Sequence, residues 1–185
     1  MKRPVAVALT GGIAAGKSEA LAAFARHGAA TASSDEIVHR LLAEDEEVRG
    51  AIRARWGEDA VGNRQRIGEI VFADPPELEW LEQLLHPRTR AAADQWIATV
   101  DRPVAVVEIP LLYETGGEDR FDEVVVITAP EELRRQRRGE FAARQARLIP
   151  DAEKVARADF SYVNDGSLED LDAFVAGVVE NLSSS

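Results

Sequence analysis

The stretch Val5-Ala6-Val7-Ala8-Leu9-Thr10-Gly11-Gly12-Ile13-Ala14-Ala15-Gly16-Lys17-Ser18 satisfies the pattern G-x-x-x-x-G-K-[ST] at every position and constrains the chain more than any other feature. A loop that cradles phosphate needs a buried strand to deliver it and glycines that let the backbone turn its N–H groups inward. It also needs a helix N-terminus behind it to favour anionic oxygens. All three are present: a β-branched apolar run precedes the loop, and Glu19 to Arg26 follow it with strong helix formers. In such a loop Gly11, Gly12, Ile13, Ala14, Ala15 and Gly16 lend backbone to the phosphates, Lys17 reaches the β- and γ-phosphates, and the Ser18 hydroxyl ligates magnesium.

A loop of this kind belongs in an open parallel sheet, and 185 residues are enough for one such domain with a full core. The absence of cysteine excludes a disulfide framework, a thiol nucleophile and a thiolate metal site. No apolar run approaches the roughly 20 residues of a membrane span, and Met1-Lys2-Arg3-Pro4 leads into a strand without a signal-peptide pattern, so a cytosolic protein is expected. A formal charge of −11 argues against a nucleic-acid surface, because phosphate-backbone binding is largely electrostatic. The expected partners are small molecules, and the chain is expected to be a monomer or a weak homo-oligomer.

In chain order, Val5 to Leu9 reads as the first strand and Gly16 to Arg26 as the first helix, closed by His27-Gly28. Ala29 to Ser33 is the second strand, placed by the strand–helix–strand rhythm. Ser33 to Glu36 then reads as an N-cap before a helix from Ile37. From Glu44 to Val100 the pattern is helical, with one helix from Asp74 to Leu85 that His86-Pro87 is expected to interrupt before helix resumes. Val104 to Ile109 and Glu123 to Thr128 are nearly continuous apolar runs, as in strands covered on both faces. A short strand at Phe160 to Val163 and an amphipathic helix from Leu168 to Leu182 complete the series.

Phosphoryl transfer needs a phosphate cradle, a magnesium site, positive charge on the migrating group and a carboxylate to take the acceptor's proton. Asp35, at the carboxyl end of the second strand, is the best-placed carboxylate, its competing role being a helix N-cap. Glu108 ends the third strand, either ordering magnesium or standing in solvent. Arg134, Arg135, Arg137, Arg138, Arg144 and Arg147 load the segment after the fourth strand, where nucleotide kinases carry a lid. One or two of the six are expected to touch phosphate and the rest to form a solvated face. His86 is either an acceptor-site donor or a structural histidine.

Together with the phosphate loop, Asp35 with His39, Leu84-Leu85-His86-Pro87 with Arg90, Ile109-Pro110-Leu111-Leu112-Tyr113-Glu114, and Ala158-Asp159-Phe160 through Asn164-Asp165-Gly166 resemble the dephospho-coenzyme A kinases in order and spacing. The resemblance spans nearly the whole chain. It implies an α/β P-loop kinase fold, with a five-stranded parallel sheet flanked by helices, a helical acceptor-binding region at about 44–100 and a short lid at about 130–150. It also implies ATP-dependent phosphorylation of the ribose 3′-hydroxyl of dephospho-coenzyme A, with ATP and Mg2+. On this resemblance the general base falls on Asp35 and the acceptor contacts on His39, His86, Arg90 and Glu114. The lid arginine falls on Arg138 or Arg144, and the adenine-side asparagine on Asn164. The chain departs from the family pattern at Ser33, which replaces the first Asp of Asp-x-Asp, at Leu148, where a glutamine is usual, and in a lid several residues shorter. Two other readings stay open: a P-loop kinase for a sugar, a shikimate-like acid or a nucleoside, and a nucleotide-binding module without catalysis.

Overall fold

Short Val, Ile and Ala runs joined by helix-length segments form a parallel sheet, because each crossover must carry the chain back along a covering helix. The computed structural model describes residues 3–138 and 149–184. Strands β1 (Val5–Gly11), β2 (Ala30–Ser33), β3 (Val104–Glu108), β4 (Glu123–Thr128) and β5 (Phe160–Val163) pair in parallel in the order β2-β3-β1-β4-β5. Val104 to Val107 and Val124 to Ile127 are buried throughout, as central strands covered on both faces require. The register sets Leu9 beside Glu108, Ser33 beside Glu108 and Gly11 beside Ile127, so the carboxyl ends of β1 to β4 share one edge. The strand that delivers the phosphate loop reaches Gly11, two residues beyond the expected Leu9.

The chain divides into two compact units, Met1–Ser33 with Ile97–Ser185, and Ser34–Trp96. In the first, α1 (Lys17–Arg26) and α8 (Leu168–Ser183) supply Phe24, Leu171, Val175 and Val178 to a core shared with Val7, Leu9, Val106 and Ile127 of the sheet. Burial of such side chains contributes about 1.5–3 kcal/mol each. The helix α1 ends as expected: Gly28 takes φ 90°, and Ala29 N–H returns to Phe24 O at 3.0 Å. Ser167 and Asp170 form a reciprocal capping box at the start of α8. This unit also holds α6 (Glu131–Arg138) and α7 (Asp151–Ala156).

The second unit comprises α2 (Ser34–Glu44), α3 (Glu46–Trp56), a 3₁₀ turn at Glu58–Ala60, α4 (Arg64–Ala73) and most of α5 (Pro75–Thr99). Leu42, Val48, Ile52, Ile67, Val71, Leu81 and Leu85 form its core. Asp45 caps α3 by accepting from Val48 N–H at 2.9 Å, and Asn63 caps α4 by accepting from Arg66 N–H at 3.1 Å.

Two local expectations are corrected. His86-Pro87 does not interrupt the helix, and α5 runs through it for 25 residues. An interior proline removes one amide and opens a turn, but here Pro87 lies on the exposed face, where water can reach the freed carbonyls. The Arg88 guanidinium also donates to Leu84 O at 3.0 Å, while Leu81 and Leu85 before the proline, and Ala93 and Ile97 after it, stay buried. The second correction concerns α2, which begins at Ser34. Asp35 therefore sits inside the first turn rather than at the cap position.

Candidate functional site

Gly16 precedes α1 at φ 101° and Ala14 turns at φ 56°, so two left-handed residues bend the loop between β1 and α1. Gly11, at φ 145°, could not carry a side chain, because a β-carbon there would overlap the Ile127 carbonyl. The Lys17 ammonium donates to Gly11 O at 3.2 Å and Gly12 O at 2.9 Å, which holds its charge over the first half of the loop. Ser18, the second residue of α1, is exposed, with its hydroxyl in the first turn of the helix.

Three side chains from distant sequence brace this loop. Asn164 follows β5 and is buried, donating its amide to Ala15 O at 2.8 Å while its own backbone N–H bonds Thr128 O at 2.7 Å. The adenine-side asparagine of the sequence reading is thus tied to the phosphate loop itself. Arg134, in the first turns of α6, pairs with Asp151 at 3.3 Å, and both lie against Gly12. A β-carbon on Gly12 would stand 2.7 Å from Arg134 Nη1 and 3.1 Å from each Asp151 carboxylate oxygen.

A second cluster gathers on the loop after β3. Lys154, fully buried on α7, pairs with Glu114 Oε1 at 2.7 Å, and the same oxygen accepts from Ile149 N–H at 3.2 Å. Glu114, expected on the substrate side, thus anchors the segment that returns into α7. Arg157 stacks over Tyr113 at 4.4 Å and pairs with Glu118. Burial pushes the Tyr113 hydroxyl up from its ordinary value; the Arg157 charge opposes this, and Glu118 and Asp159 add to it.

Among the acceptor-side residues, Asp35 is exposed in the first turn of α2, two residues past the carboxyl end of β2, and His39 follows one turn later, half-buried. His86 is exposed and Arg90 half-buried, four residues apart on α5. Four residues is about one helical turn, so both fall on one side of that helix. Glu108, half-buried, ends β3 opposite Leu9 and Ser33. The backbone of α6 reaches Arg138, whose side chain, like the whole of Arg144, lies outside the described residues. Sequence reasoning named Arg134 only as one of six arginines, without singling it out, and passed over Asp151 and Lys154. The available signal was the Asp151 to Lys154 spacing, which sets both on one face of a helix, and the position of Arg134 one turn after Pro130.

Among the described residues, no group of three or more His, Cys, Asp or Glu side chains gathers as a metal site, and no helix is long and apolar enough to cross a membrane. Comparison with known proteins places this geometry in a family. The family model for dephospho-CoA kinase (CoaE) matches residues 5–170. A dephospho-CoA kinase of Mesorhizobium japonicum is 38% identical over 192 residues, covering 96% of each chain. Among solved structures, a protein of Thermus thermophilus superposes with a TM-score of 0.81 at 30% identity, over 98% of this chain and 99% of that one. The dephospho-CoA kinase of Campylobacter jejuni gives 0.75 at 28% identity, over 98% of both.

Proposed function

The chain belongs to the dephospho-CoA kinase family, and from that premise we propose that it transfers the γ-phosphoryl group of ATP to the ribose 3′-hydroxyl of dephospho-coenzyme A. The products are coenzyme A and ADP, and the step is the last in coenzyme A synthesis. The observation that carries the reading is the loop itself: a strand that ends at Gly11, left-handed turns at Ala14 and Gly16, and Lys17 held over the loop carbonyls.

In this mechanism Lys17 exchanges the Gly11 and Gly12 carbonyls for β- and γ-phosphate oxygens and follows the charge of the migrating group. Arg138 or Arg144 adds positive charge from the lid. Asp35 accepts the proton of the 3′-hydroxyl as that oxygen attacks the γ-phosphorus and the bond to the β,γ-bridging oxygen breaks. His39, His86, Arg90 and Glu114 hold the acceptor, while Asn164 stands on the adenine side with its amide committed to Ala15. Mg2+ suits the donor set, since it keeps several waters and needs few protein ligands beside the substrate phosphates. The exposed Ser18 hydroxyl would hold it, with Glu108 ordering its waters, and the ion would supply charge neutralisation to the donor phosphates. The reading goes with a cytosolic enzyme acting on small molecules, as a monomer or weak homo-oligomer.

The test is ADP release from ATP and Mg2+ with dephospho-coenzyme A, shikimate, gluconate or adenosine as acceptor. Turnover is expected with dephospho-coenzyme A alone. Preferred turnover of another acceptor, or none with any, would overturn the reading.

A further inference from the structure

We propose that Arg134 is a ligand of the donor phosphates and that Asp151 is the residue that positions it. The proposal rests on the phosphoryl-transfer reading and deepens its donor side. An arginine on a helix with three others is expected to stand in water, because burying a guanidinium is costly unless its N–H groups are met. Arg134 does not follow that expectation, since its side chain is only 10% exposed. Its Nη1 lies 2.7 Å from the place a β-carbon on Gly12 would occupy, and Gly12 is also the residue whose carbonyl takes Lys17 Nζ at 2.9 Å. Two cations, from α1 and α6, thus converge on one residue of the phosphate loop.

The pairing with Asp151 is incomplete. A guanidinium presents five N–H donors in a fixed fork, more than one carboxylate can satisfy. Arg134 Nε is buried with no hydrogen-bond partner among the described residues, and the nearest Asp151 oxygen is 3.3 Å from Nη1. A buried donor left without an acceptor is destabilising, so Asp151 alone leaves the guanidinium under-satisfied, and Nη1 beside Gly12 is placed to make a charge-assisted bond to an anion in the loop. Asp151 also lies against Gly12, its oxygens 3.1 Å from the same β-carbon position, and alone it would repel phosphate. Paired, it holds the guanidinium against the loop while its own charge is offset.

The experiment uses the full chain, with ATP binding by calorimetry and steady-state turnover against both substrates. Arg134→Ala is expected to weaken ATP binding and raise the ATP KM by about ten- to a hundredfold, with the dephospho-coenzyme A KM within about twofold of wild type. Since Asp151 then faces the phosphates alone, the double variant Arg134→Ala/Asp151→Ala is expected to bind ATP several-fold more tightly than Arg134→Ala. A merely structural ion pair predicts no such rescue. Arg134→Lys keeps the charge and loses the fork, so a loss of about three- to tenfold is expected, and it carries the test if Arg134→Ala fails to show a cooperative melt. ATP binding within about twofold of wild type in a folded Arg134 variant, or a double variant no better than the single, would overturn the proposal. If wild type bound ATP without turning over dephospho-coenzyme A and Arg134→Ala still lost ATP binding, the acceptor reading would fall and the assignment of Arg134 would stand.

Discussion

Replacing Gly11 by alanine tests how the sheet and the phosphate loop are joined. Gly11 ends β1 beside Ile127 of β4, at φ 145°. An added β-carbon would overlap the Ile127 carbonyl oxygen and stand 2.8 Å from the carbonyl carbon and 3.1 Å from the nitrogen. Non-bonded carbons prefer about 3.5–4.0 Å, so relief needs roughly 1 Å of movement between two paired central strands. Ile127 is fully buried and cannot give way cheaply. Holding alanine at this φ costs about 1–3 kcal/mol. Overpacking a closed interior adds about 1–3 kcal/mol. The sum, about 2–6 kcal/mol, is a large part of a stability typically about 5–15 kcal/mol. Gly28→Ala is the control: at φ 90° it has nothing within 4 Å of an added β-carbon, so only the conformational part applies. Urea unfolding followed by circular dichroism, with ATP binding measured beside it, should rank Gly11→Ala well below Gly28→Ala and show ATP binding lost in the former. Equal unfolding midpoints for the two variants would refute the steric argument.

Asp35→Asn should lower kcat by about 10²–10⁴-fold with the ATP KM nearly unchanged, and a kcat within a few-fold of wild type would pass the base assignment to Glu108. Lys154→Met strands the Glu114 carboxylate, whose side chain is 12% exposed. It should cost about 3–5 kcal/mol in urea unfolding, with Lys154→Met/Glu114→Gln recovering part of this, whereas a loss under about 1 kcal/mol would remove the pair from the core argument. Arg26 first, then His27, hold the Asp172 carboxyl below its usual range, so the stability this gives is present above about pH 4 and lost as pH falls through the folded value. Urea midpoints of wild type and Asp172→Asn should therefore converge between pH 7 and pH 3, and a constant gap would contradict the linkage.

What a sequence reader could recover here is what residue type and short spacing decide. The pattern from Gly11 to Ser18 needs particular φ values and a particular cation, and only a few residue types supply them. The runs Val104 to Val107 and Glu123 to Thr128 announce buried parallel strands by themselves, and His27-Gly28 announces a helix end because only glycine turns left-handed without strain. Tertiary packing decided the rest. Local rules end a helix near His86-Pro87, yet buried leucines on one side, Ala93 and Ile97 on the other, and the Arg88 guanidinium on Leu84 O keep α5 continuous. Asn164 reaches Ala15 across 149 residues of chain, a meeting that depends on β5 pairing beside β4 rather than on any spacing. Six arginines after β4 look alike in sequence, and Arg134 is set apart because the chain returning through α7 brings Asp151 to it and sets the pair on Gly12. Local patterns report how a segment turns and which face it buries, whereas the neighbour of a charge is decided by where a distant segment comes back.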